Sequence, residues 1–225
     1  MYDLASRLHR IVVGILLFVM CVELAIALYK GLWMNSFLVI CIILVTFVPL
    51  VIGRQYRIII PAEFQILAVI FIFASLFLGE IHSYYEKYWW WDMLLHASSG
   101  LLMGILGFLL VFLLNENDRA GIDLSPHFIA LFAFLFALAV GTLWEIFEYA
   151  MDALWGTNMQ KPMLGDTSGL TDTMWDLILD ASGAFIISLL GWRYTMRQES
   201  FFVDRWIRKF IARNPRLFRH RFRRD

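Results

Sequence analysis

Two cysteines in 225 residues leave no disulfide framework and no thiolate metal site. Cys21 and Cys41 each lie inside an apolar run and read as small buried hydrophobes. The chain has no CxxC pair, no nucleophile elbow and no phosphate-binding loop, which removes thiol redox, serine-hydrolase and nucleotide-binding readings. Its five histidines are scattered and cannot supply the histidine boxes of a membrane desaturase. A cleavable signal peptide is also missing. Arg7 and Arg10 precede an apolar run at 11–29 that is too long for a signal core and lacks a convincing cleavage site, so it is read as a first membrane helix.

What the chain has in quantity is apolar surface. Apolar residues make up 60% of it, against about 45–50% in a soluble domain. Runs near the length that crosses about 30 Å of hydrocarbon recur at 11–29, 37–52, 62–81, 92–114, 128–153 and 172–194. Lys30 and Gly31 part the first two, residues 53–61 part the second and third, and Pro49 sits near a helix end where it is tolerated. Trp89, Trp90 and Trp91 suit the headgroup level of a bilayer. The expected fold class is therefore all-α, a polytopic membrane protein of six transmembrane helices. Residues 1–195 would form the membrane domain and residues 196–225 a basic cytoplasmic tail.

Formal charge balances at 19 basic and 19 acidic residues, but the two signs are segregated. With the N-terminus in the cytoplasm, inside segments hold Arg7, Arg10, Arg54, Arg57, Arg119 and eleven basic residues between Arg193 and Arg224. Only Lys30, Lys87 and Lys161 remain outside, so both termini are expected to be cytoplasmic. Past Tyr194, Val203, Trp206, Ile207, Phe210 and Ile211 follow helical spacing, with Arg205, Arg208, Lys209 and Arg213 on the other face and Pro215 as a stop. That pattern reads as an interfacial helix whose basic tail lies on an anionic cytoplasmic leaflet. Membrane lipids are the expected partners, and no nucleic acid is expected.

The acids gather at the opposite side. Glu80, Glu86, Asp92, Glu145, Glu148, Asp152, Asp166, Asp172, Asp176 and Asp180 fall at or near the outer ends of spans three to six. Acidic residues carry little topogenic weight, so the clustering points to a site. Asp172, Asp176 and Asp180 recur every fourth residue and stack on one helix face, over a rise of about 12 Å. A carboxylate at mid-bilayer costs about 2.5–3.5 kcal/mol even on the lenient insertion scale. Three on one face will not look at lipid. They face partners, a metal ion, water or protons of their own.

Asp92 and His96 are one turn apart at the start of span four, Glu145, Glu148 and Asp152 share a face of span five, and antiparallel packing would bring these faces together with span six. Glu80 and His82 end span three in the same layer, and Glu23 within span one is a further candidate. An oxygen-rich set with one imidazole suits a divalent ion such as Zn, Mn, Fe or Mg. The expected ligands are Asp92, His96, Glu145, Glu148, Asp176 and Asp180, with His96, Glu145 and Asp176 as the residues that carry chemistry. Without an ion such a cluster holds protons, which is the chemistry of acid–base catalysis or of a proton relay.

There is also a short internal repeat. WDMLLHASSG at 91–100 aligns with WDLILDASGA at 175–184, with five of ten positions identical and His96 opposite Asp180. Glu80-Ile-His-Ser-Tyr-Tyr likewise resembles Glu145-Ile-Phe-Glu-Tyr-Ala. Residues 80–114 and 145–194 thus read as a hairpin repeated in the same orientation, an arrangement that places sites between repeats. The Asp-x3-Asp-x3-Asp run resembles that of CDP-alcohol phosphotransferases, but their preceding Asp-Gly and Ala-Arg elements are missing here, which excludes that family.

The pattern Asp92-x3-His96, Glu145-x2-Glu148, Gly165-Asp166, Asp172-x3-Asp176 and Gly183-Ala184 resembles the YjdF-type family of bacterial inner-membrane proteins, and more distantly the VanZ-like proteins. It covers roughly residues 91–191. Asp180 departs from it, since relatives tend to place Asn or a small residue there. The resemblance implies a multi-pass protein of the bacterial inner membrane and a site at these residues. VanZ-like members are associated with glycopeptide-antibiotic resistance, while the YjdF-type resemblance implies no reaction. Three functions follow as expectations: a metal- or acid–base-dependent enzyme acting on a lipid or lipid-linked substrate, a cation- or proton-coupled transporter or flippase, and a structural subunit of a membrane complex. The inner halves of spans four to six are nearly free of polar residues, which counts against the transporter.

Overall fold

The computed structural model describes residues 4–115, 123–197 and 204–215. Arg119, Val203 and the basic tail at 216–225 lie outside the described residues. The described chain is helical: α1 (Leu4–Tyr29), α2 (Trp33–Thr46), α3 (Val48–Gln55), α4 (Ala62–Ile72), a π-helical continuation at Phe73–Ile81, α5 (Tyr84–Lys87), α6 (Trp91–Asn115), α7 (Pro126–Trp155), α8 (Leu170–Arg197) and α9 (Asp204–Arg213). Six segments are long and apolar enough to cross a membrane: Ser6–Tyr29, Trp33–Gln55, Ala62–Ile81, Trp91–Asn115, Pro126–Trp155 and Leu170–Arg197. Each expected span is present at its expected length or longer, and the protein is a multi-pass membrane protein.

Two spans depart from plain α-helix. The second breaks at Phe47, and Pro49 falls in the first turn of α3, where its missing N–H is no loss. The third changes winding after Ile72. His82 N–H reaches the carbonyl of Phe77 at 3.2 Å, the i to i−5 bond of a π-helix. Gly79 lies in this stretch because the Tyr85 ring packs against its bare backbone, and a Cβ there would meet the ring.

The described residues fall into two units, one taking in those up to Trp91 together with Arg205–Pro215, the other running from Asp92 onward. In the first, Met20 of α1, Val39 and Ile42 of α2 and Phe77 of the π segment form a buried apolar cluster, with Leu17, Leu24, Phe73 and Leu76 packed on it. The amphipathic helix α9 is fastened to the start of α4. Trp206 meets Phe64 edge to face at 5.2 Å, Lys209 pairs with Glu63 at 2.6 Å, and the Asn214 amide both accepts from Ile59 N–H (2.7 Å) and donates to its carbonyl (3.0 Å).

The second unit consists of α6, α7 and α8. Ser125 caps α7 by accepting from Phe128 N–H, and Gly156 ends it in the left-handed region at φ +63°. α6 and α8 run close because small residues face each other. A methyl on Gly100 would overlap the Asp180 carbonyl oxygen, and one on Gly183 would lie 2.6 Å from the Ala97 oxygen. Small residues that let two backbones approach are the usual currency of helix association in lipid, where no hydrophobic force separates helix from solvent. The positions aligned in the short repeat, His96 and Asp180, sit opposite each other in this contact.

Gly100→Ala is expected to destabilise the fold by about 1–3 kcal/mol, the ordinary cost of overpacking. Gly14→Ala, whose added methyl meets nothing within 4 Å, is expected to be neutral or slightly stabilising. Reversible unfolding in detergent micelles compares the two directly.

Candidate metal centre

Helical spacing explains how each side chain arrives. Asp92 and His96 lie one turn apart on α6, Glu145 and Glu148 are one turn apart on α7, and Asp172, Asp176 and Asp180 line the inner face of α8. The imidazole of His96 is the hub. Its Nε2 lies 3.7 Å from Asp92 Oδ1, 3.9 Å from Glu145 Oε1 and 3.8 Å from Asp176 Oδ2, while Nδ1 lies 3.3 Å from Asp180 Oδ2. Carboxylates from three separate helices therefore converge on one ring.

The cluster is almost sealed. Asp176 is 0% exposed, Asp180 2%, Glu145 4% and His96 6%, and only Asp92 is half-buried. Neither side-chain oxygen of Glu145 has a hydrogen-bond partner among the described residues, and the same holds for Asp176. A buried polar group without a partner is costly, and a buried charge more so. The ligand atoms of Asp92, His96 and Asp176 lie within 4.8 Å of one another. Around an ion at about 2.0–2.2 Å, tetrahedral donors stand about 3.3–3.6 Å apart. The 3.7–3.9 Å spacings at Nε2 are within a few tenths of an ångström of that, while the group of Asp92, His96 and Asp176, spread over up to 4.8 Å, would have to draw in further to hold one.

The remaining acids have other engagements. Glu148 is buried one turn beyond Glu145, and its Oε1 accepts from the indole of Trp144 at 2.9 Å. Asp172 accepts from Lys161 N–H at 2.6 Å. Asp152 accepts from the Thr157 hydroxyl (2.6 Å) and from the backbone N–H groups of Met159 (2.8 Å) and Gln160 (2.9 Å). Asp166 accepts from both the N–H and the hydroxyl of Ser168 and from Thr171 N–H. These acids strap the loop between α7 and α8 across the helix ends. Glu23, Glu80 and His82 belong to the first unit. One participant was silent in the sequence: Ser99, whose hydroxyl lies against Asp180 Oδ1. Its only signal was position, one turn after His96.

The Ser168 hydroxyl and amide hold the Asp166 carboxyl well below the ordinary carboxylate range. A depressed native value stabilises the loop fully above the unfolded value of about pH 3.9, and that contribution is lost as pH falls further toward the native value. Asp166→Asn is expected to lower hydrogen-exchange protection at Ser168 and Thr171 at neutral pH. Wild-type protection should weaken only in strong acid.

Comparison with known proteins places the chain without naming a reaction. A Thermotoga maritima protein named "Uncharacterized protein" is 28% identical over 134 residues, which is 60% of this chain and 64% of the relative. No solved structure matches. Residues 8–197 match the family described as "Predicted membrane protein (DUF2238)". That match spans all six helices, and the chain belongs to this family of membrane proteins.

Proposed function

We propose that the protein is a membrane enzyme that holds a divalent cation between Asp92, His96, Glu145 and Asp176 and acts on a lipid or lipid-linked substrate. The observation that carries this reading is the pair of buried carboxylates, Glu145 and Asp176, with no hydrogen-bond partner among the described residues and with His96 Nε2 within 4 Å of both and of Asp92. Three ionised carboxylates around an imidazole nitrogen repel one another, and either protons or a cation among them relieves that repulsion. The imidazole in the donor set favours Zn, Mn or Fe over Mg. Such an ion supplies Lewis acidity and an activated water. Glu148 lies one turn from Glu145, is held by Trp144 and is suited to carry a proton.

The lipid assignment is supported by the surroundings. Trp144, Tyr149, Trp155 and Trp175 are exposed along the same end of α7 and α8, as aromatic residues are at headgroup depth. The excess of Lys and Arg on one side supports cytoplasmic termini and, with them, a site at the outer leaflet. The Thermotoga relative and the resemblance to YjdF-type and VanZ-like proteins support a bacterial inner membrane. The basic tail is suited to anionic lipid on the cytoplasmic side.

A specific observation favours a second reading, cation or proton transport. Ser188 and Trp192 lie farther along α8 than Asp172, Asp176 and Asp180. Both Ser188 Oγ and Trp192 Nε1 are buried without a hydrogen-bond partner among the described residues. Buried polar atoms thus extend into the half of the helix that the sequence presents as apolar.

Elemental analysis of protein purified without chelator is expected to find about one divalent ion per chain, absent from His96→Ala and Asp176→Asn. Chelator should lower its thermal stability. No bound ion together with chelator-independent stability would remove the metal reading. In proteoliposomes, proton or divalent-cation flux abolished by Asp176→Asn would select the transporter, and its absence would remove that reading.

A further inference from the structure

We propose that Asp180 is a positioning residue. Its carboxylate holds the Nδ1–H of His96, so that Nε2 is the ring atom turned toward Asp92, Glu145 and Asp176. This rests on reading those residues as a cation site, and it assigns Asp180 a different part from the ligand role that four-residue spacing suggests.

The two nitrogens of an imidazole point to opposite sides of the ring, so one ion cannot be bound both by Nε2 and by a carboxylate seated at Nδ1. Asp180 Oδ2 is at Nδ1, 3.3 Å away, while the other three carboxylates are at Nε2. Both oxygens of Asp180 are engaged, Oδ2 by His96 and Oδ1 by the Ser99 hydroxyl. That separates it from Glu145 and Asp176, whose oxygens have no partner. The Ser99 hydroxyl also lies 2.9 Å from the His96 carbonyl, tying the carboxylate to the turn that carries the ring.

The carboxylate is housed as well as bonded. It is 2% exposed, and a side chain at Gly141 on α7 would overlap its Oδ2. On its own backbone side, Gly100 of α6 leaves room for the Asp180 carbonyl. Asp180 therefore sits in a notch cut by two glycines on neighbouring helices. An acceptor fixed behind a histidine sets the tautomer and aim of the ring, and its removal typically weakens metal affinity by about 10–100-fold.

Two measurements on the full chain in lipid nanodiscs test this. The first is NMR of histidine-labelled protein, with the His96 signals assigned by their loss in His96→Gln. A hydrogen-bonded Nδ1 proton is expected in the wild type, weakened in Ser99→Ala, retained in Asp180→Asn and lost in Asp180→Ala. The second is titration with Zn²⁺ alone. Asp180→Ala is expected to bind about 10–100-fold more weakly, with Asp180→Asn closer to wild type and Asp176→Ala worse than either. An Nδ1 proton unchanged in Asp180→Ala would overturn the proposal. So would a loss of Zn²⁺ affinity in Asp180→Ala as large as in Asp176→Ala, which would make Asp180 a ligand. If the wild type binds no Zn²⁺ the cation reading falls, and the NMR arm still decides the role of Asp180.

Discussion

Charge burial is the constraint around which the second unit is built. Glu145 and Asp176 are removed from water, have no hydrogen-bond partner at ordinary geometry among the described residues and face the same imidazole nitrogen. A fold tolerates that arrangement when a compensating positive charge is available or the carboxyls hold protons, because an isolated ionised group in a low-dielectric interior is among the most expensive features a protein can carry. The close contact of α6 with α8 and the notch at Gly141 are what bring the carboxylates of three helices within 4 Å of one ring. Relaxing any of these contacts would let the acids separate and regain solvent.

The structure divides the acids into three kinds. Asp152, Asp166 and Asp172 are engaged by backbone N–H groups and hydroxyls in the loop between α7 and α8 and do structural work. Asp180 and Glu148 each have a side-chain donor and are held in place. Glu145 and Asp176 have both carboxyl oxygens buried without a hydrogen-bond partner among the described residues. Sequence spacing alone treats Asp172, Asp176 and Asp180 as equivalent, since they share one face of one helix. Their separate roles come from what the neighbouring helices and loop present to each.

That difference marks how far the sequence could be read. The six spans were legible because apolar runs near twenty residues leave little other choice. The convergence of His96 with Asp92, Glu145, Asp176 and Asp180 was legible because intramembrane acids on one helix face must turn inward. The break at Phe47 and the π segment at Phe73–Ile81 were not, for both lie in largely apolar stretches where the few polar residues, such as Thr46 and Ser75, do not mark a face. Ser99 was not legible either. A serine on a membrane helix ordinarily bonds its own backbone, as Ser98 does to the Leu94 carbonyl at 2.7 Å. Nothing local distinguishes the serine that reaches across to Asp180.

The π winding of the third span has a consequence for anyone who draws that span as a helical wheel. Each i to i−5 bond admits an extra residue per turn relative to an α-helix, so the azimuth of every later side chain is offset from the one an α-helical register assigns. Glu80 and Ile81 therefore project in directions that the positions of Ala62 to Ile72 do not forecast. An accessibility scan through this segment would show its periodicity lengthen partway along, with a phase slip after Ile72.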